Sequence, residues 1–227
     1  MDMLVCDRIT LDHAGAHVRR ALRRAAREES PFRYWLLRSV LPRSLCRAVS
    51  ALPFPPPAIE DTLGRRETNN PSRIFVSAAN RRRYPACETL ADAFQDDATI
   101  GLIEDICRIS LAGSYLRIEC CLDSDGFWLE PHTDIGAKLF TMLVYLSDHP
   151  DAEDWGTDIM DPFGTVLGRA PGSFNSGLVF VPGSDTWHGF TRRPIRGVRR
   201  SLIVNYVKPE WRSRHELAFP ETPVFGD

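Results

Sequence analysis

No run of the 227 residues is long and apolar enough to read as a membrane span. The amino terminus, Met-Asp-Met-Leu-Val-Cys-Asp, lacks the basic start and extended apolar core of a secretory leader. A cytoplasmic protein with no membrane partner is the expectation. Net charge is also scarce: 28 Lys and Arg face 30 Asp and Glu, leaving −2, which gives no case for nucleic acid as a partner. The six cysteines include no Cys-x-x-Cys pair. They read as free thiols packed in a reducing compartment, with neighbours Cys120 and Cys121 on opposite faces of a strand. No internal repeat and no true linker interrupt the chain. With 43% hydrophobic residues it can bury one substantial core. The expectation is one domain over 1–227: a helical and loop-rich support at 1–112, a strand-rich core at 113–210 and a tail at 211–227.

Residues 1–50 read as helical and arginine-rich. His13, His17, Arg20 and Arg24 recur at helical spacing, which reads as a solvated face rather than a metal site. The stretch 51–84 opens on Pro53-Phe-Pro-Pro-Pro57, a polyproline-like connector, and has the look of a lid or substrate-binding insert. Arg81, Arg82 and Arg83 read as a solvated turn. Leu90, Phe94, Ile100, Ile103 and Ile106 form an apolar helical stripe over 86–112, broken near Asp96 and Asp97. From Tyr115 onward, strands alternate with Gly/Pro turns. Helices followed by strands imply a mainly β fold: a double-stranded β-helix (jelly-roll, cupin-like) barrel with the N-terminal helices packed on one sheet.

Within that core stands Pro-His132-Thr-Asp134, and far downstream Thr-Trp-His188-Gly. In an extended strand, residues two apart point the same way, so His132 and Asp134 can reach one metal. His188 must come from another strand. Two imidazoles and one carboxylate on one face of a metal form the facial triad of non-haem Fe(II) oxygenases. Arg199 and Arg200 open the next strand, 201–207, expected to pair with the His188 strand as an antiparallel hairpin. A zinc or other metal hydrolase with the same ligands is the competing reading.

These motifs, with the strand Lys138-Leu-Phe-Thr-Met-Leu-Val-Tyr-Leu, Trp155-Gly-Thr157 and Gly197-Val-Arg199-Arg-Ser201, resemble the Fe(II)/2-oxoglutarate-dependent dioxygenases, most closely their prolyl-hydroxylase-like branch. The resemblance covers about Tyr115 to Lys208. It implies Fe(II) held by His132, Asp134 and His188, with 2-oxoglutarate and O2 as cosubstrates. It also implies an arginine on the far carboxylate of 2-oxoglutarate. Arg199 is favoured, with Ser201 on the same strand face able to bind that carboxylate too. Arg200 points the other way unless a bulge swaps the two.

Further cosubstrate or pocket contacts are assigned to Tyr115, which alternates with Arg117 and Glu119 onto one strand face, and to Lys138 and Thr141, with Tyr145 on the face of Thr141. The implied reaction is hydroxylation of a C–H bond with release of succinate and CO2. A small polar or sugar-like substrate is favoured by the compact length; a prolyl or other protein residue is the alternative. A catalytically silent jelly-roll binding or sensor module is the reading from a different class. The oligomeric state is left open.

Overall fold

The computed structural model describes residues 3–59, 61–65 and 73–225, with side chains from residue 13 onward. In chain order the elements are α1 (Met3–Arg23), β1 (Ala26–Glu28), β2 (Tyr34–Arg38), α2 (Arg43–Ser50), β3 (Ile74–Phe75) and α3 (Ala78–Arg83). Then come α4 (Pro85–Gln95), α5 (Asp97–Cys107), β4 (Tyr115–Asp123), β5 (Leu129–His132) and β6 (Lys138–Tyr145). The chain finishes with β7 (Asp158–Met160), β8 (Val166–Arg169), β9 (Ser176–Phe180), β10 (His188–Phe190) and β11 (Arg199–Val207). Among the described residues no helix is long and apolar enough to cross a membrane.

The strands form two antiparallel sheets. One has seven strands in the order β1-β2-β9-β6-β11-β4-β3; the other has four, β5-β10-β7-β8. The expected barrel therefore does not close: no strand pair joins the two sheets among the described residues. They are held face to face by side chains instead, with Leu143, Tyr145, Leu178 and Phe180 of the large sheet packed against Ile159 of the small one. The Tyr145 hydroxyl adds a tie by donating to Thr157 Oγ1 at 2.8 Å.

Alternation sorts the two faces of the large sheet. Leu116, Ile118 and Cys120 of β4, Phe140, Met142 and Val144 of β6, and Leu202, Val204 and Tyr206 of β11 join Val18, Leu90, Phe94, Ile100 and Ile103 in one core. The helices thus cover one face of the large sheet, as the apolar stripe predicts. Each such side chain removed from water is worth about 1.5–3 kcal/mol. Pro85 opens α4, where no backbone donor is needed. Asp96 breaks the stripe by capping α5, accepting from the Thr99 backbone N–H at 2.9 Å. Cys46, Cys87, Cys107, Cys120 and Cys121 are buried and unpaired; the Cys6 side chain lies outside the described residues. Burial pushes the Cys46 and Cys107 thiols up to about 12, which leaves them unreactive.

Three expectations are corrected. Residues 1–50 are not uniformly helical, because the alternating Tyr-Trp-Leu-Leu-Arg of β2 buries Trp35 and Leu37 and pairs with β9. The His188 strand and the 199–207 strand do not form a hairpin. Strand β10 pairs with β5 and β7, while β11 pairs with β4 and β6 in the other sheet. Arg81 lies in the last turn of α3 rather than in a solvated turn. It donates to the Ala218 carbonyl at 2.7 Å and lies 3.5 Å over the Phe219 ring, fastening the C-terminal segment. His13 and His17 meet edge-on at 5.3 Å, and no third metal ligand joins them among the described residues.

The small sheet has its own electrostatic latch. Asp158, fully buried on β7, accepts from Arg169 Nε at 2.7 Å, Arg193 Nη1 at 2.8 Å and the Thr191 N–H at 2.8 Å. Burial alone would raise its pKa, but Arg193, Arg169 and Thr191 win and hold it below the usual value of 3.8. A depressed carboxylate contributes stability that is present above the unfolded pKa and lost as the pH falls through the folded one. Asp158→Asn is therefore expected to lower the melting temperature at pH 7, with the gap to wild type closing below about pH 4. Melts of both proteins from pH 7 to pH 3 check this; a constant gap would contradict it.

Candidate active site

His132 closes β5 and His188 opens β10, and the two are direct partners in the antiparallel register. Their ring centroids lie 4.4 Å apart. Each ring is fixed in the same way. His132 Nδ1 sits 2.8 Å from the Glu130 carbonyl, and His188 Nδ1 sits 2.9 Å from the Thr186 carbonyl. A carbonyl can only accept, so Nδ1 of each ring carries a proton, and in the neutral tautomer Nε2 is the nitrogen with the free lone pair. Burial pushes the His188 pKa down to about 4, helped by His132 alongside and opposed by Asp134. His188 is therefore a neutral imidazole at physiological pH.

Asp134 stands in the turn between β5 and β6. Lys138 Nζ is 2.5 Å from Oδ1, and Thr141 Oγ1 donates to Oδ2 at 2.6 Å. Burial favours the neutral acid, but the Lys138 ammonium, the His188 ring and these two hydrogen bonds hold the carboxyl well below its ordinary range. Neutral imidazoles and an ionised carboxylate are the protonation states that bind a divalent metal. Among the described residues no three His, Cys, Asp or Glu side chains close into a finished metal cage. The imidazoles meet, and Asp134 lies beside them with its oxygens engaged by Lys138 and Thr141.

A cavity of about 880 Å³ contains this cluster. Arg199 lines it together with His132, Asp134, Lys138, Thr141 and His188. The Arg199 guanidinium is buried. Nη1 donates to Asp123 at 2.5 Å, Nε donates to the Trp155 carbonyl at 2.6 Å, and the Phe190 ring lies 4.6 Å away. Arg200 lines a separate small cavity beside Val49 and Leu146, so Arg199 is the arginine on the His132 side. The lining also carries Arg73, Phe75, Arg117, Glu119, Trp211, His215 and Glu216. Gly64, Arg65 and Arg73 bring the 51–84 stretch to the cavity border, while residues 66–72 lie outside the described set.

Two expected contacts are not brought to the cavity. Tyr115 lies at the far end of β4, two residues beyond the cavity-lining Arg117, under the Arg214 guanidinium, 3.9 Å away. Ser201 is buried and its Oγ makes no hydrogen bond, but it borders the small cavity beside Arg200. Two residues went unread. Asp123 looks like a turn former in Asp-Ser-Asp-Gly, and only the strand register sets it opposite Arg199. Asn205 is a lone amide inside Leu-Ile-Val-Asn-Tyr-Val; a buried polar residue in an apolar strand is the signal that could have found it.

No family model matches the chain, and no curated protein matches it by sequence. Solved structures do. A prolyl hydroxylase from Trichoplax adhaerens, in complex with a hypoxia inducible factor peptide fragment, aligns with TM-score 0.56 and 14% identity over 89% of this chain and 90% of that one. A Pseudomonas putida prolyl-4-hydroxylase gives 0.54 and 19% over 86% and 94%. A 2OG-Fe(II) oxygenase family oxidoreductase from Burkholderia pseudomallei gives 0.54 and 15% over 85% and 90%. The chain thus shares its fold with these prolyl hydroxylases and with the 2OG-Fe(II) oxygenase family oxidoreductase.

Proposed function

We propose that this chain is an Fe(II)- and 2-oxoglutarate-dependent oxygenase that hydroxylates a polar substrate. The observation that carries the reading is the pairing of two imidazoles, each with Nδ1 tied to a carbonyl, beside an ionised carboxylate in the cavity that Arg199 also lines. That donor set suits Fe(II), with His132, His188 and Asp134 as ligands. When bound, iron with 2-oxoglutarate and O2 supplies the oxidation of a C–H bond and releases succinate and CO2.

The chain's own residues do the rest. The Glu130 and Thr186 carbonyls orient the two rings. Arg199, preset by Asp123 and Trp155, offers its remaining N–H groups to the far carboxylate of the cosubstrate. Phe190 and Phe180 exclude water beside Arg199 and His188. The charged lining of Arg73, Arg117, Glu119 and Glu216 favours a polar substrate over an apolar one. A small polar molecule suits the compact chain. A prolyl residue in a peptide suits the fold neighbours at least as well.

Anaerobic titration of apo-protein with Fe(II) and then 2-oxoglutarate is the test. Wild type should develop the weak visible charge-transfer band of the iron chelate. His132→Ala should not, and Arg199→Ala should need far more cosubstrate. Absence of a band in folded, iron-loaded wild type would favour another metal chemistry. Failure to decarboxylate 2-oxoglutarate with either small polar or prolyl-peptide substrates would favour a silent binding module.

A further inference from the structure

We propose that Asn205 is a positioning residue for Asp134, acting through Thr141. The inference rests on reading Asp134 as a metal ligand. Asn205 is fully buried at the middle of the large sheet, where β11 pairs it with Thr141 of β6 on one side and Arg117 of β4 on the other. Its Nδ2 donates to Thr141 Oγ1 at 2.9 Å and to the Phe140 carbonyl at 3.2 Å. Its Oδ1 accepts from Arg117 Nη1 at 3.3 Å. Thr141 Oγ1 in turn donates to Asp134 Oδ2 at 2.6 Å.

The direction of every bond in this chain is forced. A guanidinium only donates, so Asn205 must turn its oxygen to Arg117 and its NH2 to Thr141. A hydroxyl has one proton. With the amide donating onto its oxygen, Thr141 must spend that proton on Asp134. Arg117 cannot swing away, because Nε donates to Glu216 at 2.5 Å and Nη2 to Glu119 at 3.1 Å. The result is a polarised relay from a buried cation to the carboxylate, through groups that have no alternative partner arrangement. Lys138 engages the other oxygen as a point charge on a four-carbon stem, whereas Thr141 supplies the directional bond from the sheet itself. Asp134 is thereby held in one orientation before any metal arrives.

The test is Co(II) affinity of the apo-protein by anaerobic calorimetry, with circular dichroism and melting curves on every variant. Thr141→Val keeps the shape and deletes the donor; it should weaken the Kd by about 10–100-fold, the usual cost of losing an outer-sphere partner. Thr141→Ser should bind near the wild-type value. Asn205→Asp keeps the size and the Arg117 contact but presents only acceptors. It should draw the Thr141 proton away from Asp134 and weaken Co(II) as Thr141→Val does. Wild-type affinity in folded Thr141→Val, equal weakening by serine and valine, or wild-type affinity in folded Asn205→Asp overturns the relay. Where Asn205→Asp does not fold, Asn205→Leu, which deletes the amide donor onto Thr141, takes its place, with weakened Co(II) binding expected and wild-type affinity overturning the proposal. Wild-type protein that binds no Co(II) instead removes the metal reading, and this proposal with it.

Discussion

Replacing His188 by alanine is expected to abolish stoichiometric iron binding and to reduce turnover by more than the roughly 10–100-fold that loss of an outer-sphere partner costs. The ring is buried, neutral, and fixed by the Thr186 carbonyl at 2.9 Å. His132 lies opposite it in the register, so the pair offers two nitrogen donors at one spot. The fold should survive. What is lost is two ring contacts, with Phe180 and His132, and one hydrogen bond, about 1–3 kcal/mol. Metal content after anaerobic reconstitution, read beside a melting curve, checks both halves. A folded alanine variant that retained one iron per chain would mean that the metal sits elsewhere.

The second large effect concerns Arg199. Arg199→Met should weaken 2-oxoglutarate binding by at least about 30-fold, since truncating one partner of a buried charge contact costs roughly 2–5 kcal/mol. It should also destabilise the protein by about 3–5 kcal/mol, the usual cost of breaking a buried ion pair such as Arg199–Asp123 from one side. Combining Arg199→Met with Asp123→Leu separates the two. The double variant should recover most of the stability, since an apolar pair of similar volume tolerates burial, yet bind the cosubstrate no better than the single variant. Urea unfolding and cosubstrate titration measure the two quantities independently. Recovery of binding in the double variant would show that Arg199 acts only by neutralising Asp123.

The parts of this molecule that were legible beforehand are those in which period and chemistry agree. Leu116, Ile118 and Cys120 alternate with Arg117 and Glu119, and the strand forms with the apolar set against the helices. His132 and His188 carry their own strand context, and the register sets them opposite one another. Arg199 and Arg200 fall on opposite sides, as period two requires of adjacent residues. What failed depended on long-range pairing. The 26–38 region was hidden inside an arginine-rich stretch, and its strands exist because β9 offers an edge 140 or so residues away. The hairpin between β10 and β11 failed because adjacency in sequence does not decide which sheet a strand joins. Tyr115 shares parity with Arg117 and Glu119 but not position along the strand, and parity alone says nothing of depth. Asp123 and Asn205 acquire meaning only from what β11 sets beside them.

The tie between Tyr145 and Thr157 bears on more than stability. The histidines belong to the small sheet, while Arg199 belongs to the large one. On the proposed reading, a dicarboxylate must touch both. The gap between the sheets then works as a calliper whose jaws are a metal centre and a guanidinium. Leu143, Tyr145, Ile159 and Phe180 set its opening, and the Tyr145–Thr157 hydrogen bond at 2.8 Å keeps the jaws from sliding. Choice among 2-oxoacids of different length is, in such a device, a property of core packing at a distance from the reacting atoms.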